Sequence, residues 1–182
     1  MKKWIQPAVN VGLFAVLLLP LYSAQGGEPE KLKFVGDAKC KMCHNMASSG
    51  KYWDDWSQSK HAKAFSLLKG DEQKDAKCLK CHTTGFGEPG GFTDLEKTPK
   101  MVNVQCEMCH GPGEKHAVAH KKENPIPHSW KPEEKTCVKC HNKDNPNWKE
   151  DKYTDKNGKK TGFDFEQAVK LAVHKVKKEE SK

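Results

Sequence analysis

All eight cysteines, with four of the nine histidines, fall into one recurring pattern: CKMCH at 40–44, CLKCH at 78–82, CEMCH at 106–110 and CVKCH at 137–141. Two thiols separated by two residues, with a histidine directly after the second, are the chemistry of covalent c-type haem attachment. The pairs Cys40 and Cys43, Cys78 and Cys81, Cys106 and Cys109, and Cys137 and Cys140 would add to the porphyrin vinyl groups. His44, His82, His110 and His141 would then reach the iron from one face. Three other chemistries fit less well. A disulfide framework would close four tiny loops and staple nothing distant. Zinc ribbons pair CxxC motifs but need no histidine after each pair, and a redox-active dithiol needs one CxxC rather than four. The expected cofactors are therefore four covalently bound haems with their iron.

Five histidines remain: His61, His116, His120, His128 and His174. They permit complete bis-histidine ligation with one to spare, or one open iron with two to spare. Methionine is the other common second ligand, but Met42 and Met108 lie inside motifs, and Met46 and Met101 lie close to one. His61 falls in a stretch that reads as a helix from about Lys51 to Leu68, closed by Gly70. There it shares a face with Trp53, Ala64, Phe65 and Leu68, flanked by Trp56, and it is expected to be a distal ligand. His116 and His120, at i and i+4 on a helix expected after Gly113, also share a face. That spacing suits zinc too, although no third ligand is evident. His128, in the proline-rich IPHSWKP, reads as structural or exposed. Near the C-terminus, Phe165, Val169, Ala172 and Val176 form an apolar stripe, while His174 projects with Phe163 and Leu171 on another side.

The elements that must position these groups are short. Thr83–Lys100 holds four glycines and two prolines and is expected to be a loop or small hairpin. Pro125, Pro127 and Pro132 mark a linker, and residues 145–162 are charged and turn-rich. Before all of this, Lys2 and Lys3 precede an apolar run from about Val9 to Tyr22 and then small residues, the layout of a secretory signal with cleavage between Ala24 and Gly27. The run is shorter than a membrane span, and an uncleaved anchor is the competing reading. The expected organisation is a signal at 1–26 and one tetrahaem domain at 27–182.

Mean hydropathy is −0.88 and charged residues make up 31% of the chain, which is poor material for an ordinary core. Haem edges would supply the missing apolar interior, and without haem the chain is not expected to fold. Without Lys2 and Lys3 the formal charge of +8 becomes +6, and all the positive charge is lysine because the chain has no arginine. Nucleic-acid readers rely on arginine forks, so no nucleic-acid partner is expected. Haem propionates would cancel much of the remaining charge, leaving local lysine patches to guide docking.

CLKCHTTGFGEPGGF, VQCEMCHGPG, the WxxSxHAKA arrangement at Trp56–Ala64 and the later FDFEQAVK together resemble the cytochrome c-554 family, periplasmic tetrahaem carriers of ammonia-oxidising bacteria and their multihaem relatives. The resemblance runs from about Asp37 to His174. It implies a mostly helical fold with haems in closely spaced pairs. It also implies that His61 serves the third haem, His120 the first and His174 the fourth. His116 has no ligand role in the family pattern, and the second haem, on His82, is five-coordinate there. The family's electron donor is a hydroxylamine-oxidising multihaem enzyme, and its acceptor is a membrane-bound quinone-linked cytochrome.

The expectation is thus a mainly α protein of short helices and loops wrapped around four haems. It would be a periplasmic electron carrier, a monomer or weak oligomer that docks transiently with redox proteins. Two alternatives stand beside it: reduction of nitric oxide, nitrite or hydroxylamine at an open second haem, and assembly into extracellular filaments through His128 or His174.

Overall fold

The structure is a computed structural model that describes Met1, residues 31–118 and residues 131–172. The expected export signal, most of the proline-marked linker, and His120, His128 and His174 lie outside the described residues. Short helices and turns dominate. Helix α1 is Asp37–His44, α2 Tyr52–Ser57, α3 Ala76–His82, α4 Cys106–His110, α5 Glu114–Val118, α6 Glu134–Cys137 and α7 Phe165–Ala172. Strands β1 (Tyr153–Thr154) and β2 (Lys160–Thr161) pair antiparallel, with Tyr153 opposite Thr161. Among the described residues no helix is long and apolar enough to cross a membrane.

Local chemistry explains the boundaries. Asp75 caps α3 by accepting from the Lys77 N–H at 2.8 Å. Gly111, at φ 77°, stops α4 where a side chain would be strained. Asp155 closes the hairpin by accepting from Asn157 and Lys159, both at 2.8 Å.

The apolar core is one small cluster of Phe65, Leu68, Leu79, Phe92 and Met101, with Phe34, Cys78, Phe86 and Val102 packed around it. The Thr83–Lys100 segment is a loop, as expected, and it folds back on itself. Phe92 N donates to Thr84 O at 2.8 Å and Thr84 N to Met101 O at 2.8 Å, which sinks Phe92 into the core.

The long helix expected over Lys51–Leu68 is not continuous. Helix α2 stops at Ser57, and two single 3₁₀ turns follow at His61–Lys63 and Phe65–Leu67. Tertiary bonds have displaced the helical ladder. The Ser57 hydroxyl donates to Asp54 O at 2.7 Å and Ser59 Oγ accepts from Ala62 N at 3.2 Å, both alternatives to helix. Farther along, His61 O accepts from Val104 N at 3.1 Å and Phe65 N donates to Asn103 Oδ1 at 2.9 Å. The apolar face survives the break, since Ala64, Phe65 and Leu68 are all buried. Hydrophobic spacing identified the inward side chains but not the backbone that carries them.

Candidate haem-binding site

Three of the four CxxCH motifs are helical. The first ends α1, the second ends α3 and the third is the whole of α4, while the fourth begins at the last residue of α6 and continues as a turn. In that turn Cys140 N and His141 N both donate to Cys137 O, at 3.1 and 3.0 Å. Cysteines three apart on helical backbone lie on one face, as two bonds to one porphyrin edge require.

The motifs are not arranged in chain order. Helix α1 packs against α4, and the Cys40 and Cys106 thiols stand close enough to shift each other's titration, which sets the first motif beside the third. Cys81 and Cys140 perturb each other in the same way, which sets the second beside the fourth. Cys109 feels the charge of Cys137, joining the third to the fourth. The spatial order is therefore first, third, fourth, second. As free thiols, the two members of each pair shift oppositely: Cys40 is pushed up while Cys106 is held down by its neighbour, and Cys140 is pushed up while Cys81 falls to about 7. Burial is the main reason that Cys109 rises to about 11.

Two side chains beside Cys106 hold the first motif against the third, and sequence reasoning missed both. Gln105, 3% exposed, accepts from Asp37 N at 2.8 Å and donates to Lys100 O and Val102 O. Glu107, also 3% exposed, accepts from Val35 N at 2.9 Å, Gly36 N at 2.8 Å and Gly113 N at 2.7 Å. Their oxygens thus take the N–H groups at the entry to α1, which a helix start leaves open. One signal was available: Glu107 is the only acidic residue among the eight that lie between paired cysteines.

His44, His61, His82, His116 and His141 stand beside other rings or a backbone carbonyl. His82 sets Nδ1 2.6 Å from Ala64 O; donation there leaves Nε2 as the free donor atom, the arrangement that orients a metal-bound imidazole. His44 lies 5.9 Å from His116, centre to centre, with ring planes 21° apart, and Tyr52 stacks on it at 6.1 Å. His61 lies 6.0 Å from His141 at 57°, and Phe163 backs His141 at 5.8 Å. Burial lowers the pKa of His44, His61 and His141 from the ordinary 6.5; neighbouring His116 and His110 add to this at His44, His141 at His61, and Lys152 at His141. Each is thereby held in the neutral form that binds metal.

The resemblance implies that His61 serves the third haem; in the structure its ring lies 6.0 Å from His141 of the fourth motif. It gave His116 no role, yet His116 sits beside His44. The methionines have other occupations: Met101 is buried in the core, Met108 Sδ accepts from Gly85 N at 3.3 Å, and Met42 and Met46 are exposed.

These residues fit haem. Among the described residues no three His, Cys, Asp or Glu side chains gather to cage a metal unaided. Neighbouring imidazoles, His44 beside His116 and His61 beside His141, could each lend a nitrogen to an iron, and a porphyrin tethered by the adjacent thiols would provide the rest.

Comparison with known proteins agrees. The family described as Cytochrome c554 and c-prime matches residues 39–111, which include three of the four motifs. Cytochrome c-554 of Nitrosomonas europaea is 33% identical over 130 residues, covering 63% of this chain and 53% of that protein. The chain thus spans about half the length of that relative. The solved reduced state of cytochrome c554 from the same organism superposes with a TM-score of 0.53 at 25% identity, covering 80% of this chain and 86% of that one.

Proposed function

With residues 39–111 matching the family described as Cytochrome c554 and c-prime, we propose that the chain is a tetrahaem electron carrier in which current passes along the motifs in the order first, third, fourth, second. The protein is a c-type cytochrome, and its cofactor is covalently bound haem. Bound haem supplies an iron that accepts and releases one electron. Everything else is the work of the chain.

The eight cysteines would tether the porphyrins, and His44, His82, His110 and His141 would hold the irons. His61, its ring 6.0 Å from His141, would supply a further nitrogen ligand at the fourth motif. Burial keeps the imidazoles neutral, and Gln105 and Glu107 fix the first motif on the third. The observation that carries the proposal is the nearness of cysteines from different motifs, Cys40 to Cys106 and Cys81 to Cys140, with α1 packed on α4 and α4 on α6. Porphyrins bonded to neighbouring sulfurs would have adjacent edges, as a relay requires.

The site of action that accompanies this reading is the periplasm, with residues 1–26 acting as an export signal and 27–182 as the mature domain. The partners would be redox proteins that dock transiently around exposed lysines. The donor would be a hydroxylamine-oxidising multihaem enzyme and the acceptor a membrane-bound quinone-linked cytochrome, as the resemblance implies.

A redox titration of the purified holoprotein, with a haem count and paramagnetic resonance, tests the relay. Four haems whose low-spin signals broaden in pairs through mutual coupling are expected. Four magnetically isolated haems would refute the spatial order, and a colourless folded protein would refute the reading altogether.

A second reading attaches to His82. Among the described residues no histidine ring is paired with it, whereas His44 and His141 each face one. An open second iron would bind nitric oxide. Loss of a high-spin ferric signal on adding nitric oxide supports that reading, and a fully low-spin resting spectrum removes it.

A further inference from the structure

We propose that His116 is the second axial ligand of the haem tethered at Cys40 and Cys43, facing His44 across the iron. The proposal rests on the reading of the CxxCH motifs as haem sites, and it gives a metal-binding role to a residue that has none in the family pattern.

Two independent observations carry it. The first is the ring geometry. A histidine nitrogen sits about 2 Å from a bound transition metal, so two imidazoles facing each other across one metal have centres on the order of 6 Å apart. His44 and His116 stand at 5.9 Å with their planes 21° apart. His61 and His141 repeat the distance at 6.0 Å on another motif. The second is an unmet polar group. Among the described residues, His116 Nδ1 is the buried side-chain nitrogen or oxygen with no hydrogen-bond partner. Burying a ring nitrogen unpaired is costly, and a metal that takes its lone pair removes the cost.

The backbone is built to hold this pairing. His116 lies on α5, and Ala117 N closes that turn on Gly113 O at 2.7 Å. Gly113 N in turn donates to Glu107 Oε1 at 2.7 Å. The same carboxylate accepts from Gly36 N at 2.8 Å, directly before α1, which carries Cys40, Cys43 and His44. One buried group therefore sets the entry to both helices. Lys33 N, donating to Glu114 Oε2 at 3.0 Å, adds a second tie between the two segments. Five residues separate His116 from the His110 of its own motif, so one strip of chain serves two haems: His110 the third and His116 the first.

The test compares His116→Ala with His120→Ala in the assembled holoprotein, read by low-temperature paramagnetic resonance and by the reduction potential of each haem. His116→Ala is expected to turn one low-spin haem high-spin, with added imidazole restoring the low-spin signal. His120→Ala is expected to leave the low-spin complement intact. An unchanged spectrum in His116→Ala, or loss of the low-spin signal in His120→Ala alone, overturns the proposal. Should His116→Ala fail to assemble, His116→Met supplies a thioether in its place: a new sulfur-to-iron charge-transfer band and one raised potential are expected, and their absence overturns the assignment. Failure of the haem reading itself is distinguishable, because the unmodified protein would then carry no haem absorbance at all.

Discussion

The carboxylate of Glu107, inside the third haem motif, accepts the backbone N–H of Gly36 at 2.8 Å, directly before the helix that carries the first. It accepts from Val35 and Gly113 as well. Glu107→Ala strands three donors, one buried and two partly buried, each costing on the order of 1–3 kcal/mol where water cannot replace the carboxylate. The holoprotein should lose at least about 3 kcal/mol in denaturant unfolding, with Glu107→Gln in between. Equal stability of all three proteins would show that the bonds to this carboxylate hold nothing in place.

His61→Ala should turn one haem from low-spin to high-spin while leaving the fold intact. The backbone carbonyl that accepts from Val104 at 3.1 Å survives the substitution, and only the ring facing His141 is removed. Paramagnetic resonance of the oxidised protein decides the point, and an unaltered spectrum refutes the ligand role.

Stability should fall as pH drops below about 6.5. His44, His61 and His141 are each held below that ordinary value, chiefly by burial. Beneath pH 6.5 the unfolded chain therefore binds protons that the folded protein refuses, and the stability fully present above 6.5 is progressively lost. Coordination to iron acts in the same direction. Urea midpoints measured from pH 8 to pH 5 check the sign; a flat profile contradicts it.

Gly91→Ala should destabilise by about 1–3 kcal/mol or more, because an added Cβ would collide with the backbone carbonyl of Gly85. That crossing is what lets Phe92 reach the core. Gly87→Ala, where nothing stands near the new carbon, meets only the strain of its φ of 79°. Thermal unfolding of both variants should show the larger loss at Gly91.

Much of the molecule was legible in the chain before folding. CxxCH is a local covalent requirement, so four candidate tethers and four candidate proximal histidines are read from adjacent residues alone. The face of Ala64, Phe65 and Leu68, the loop at Thr83–Lys100 and the turn-rich hairpin region were likewise local matters of side-chain spacing and of glycine and proline placement. What depended on distant partners was not legible. The helix expected through His61 is broken because Asn103 and Val104, some forty residues away, take its backbone groups. The contact of first motif with third and of second with fourth rests on Gln105, Glu107 and neighbouring thiols, and the pairings of His44 with His116 and of His61 with His141 rest on it in turn. A ligand's residue type and its neighbours in the chain declare what it can bind; which iron it meets is set by bonds between segments that only the folded chain brings within reach.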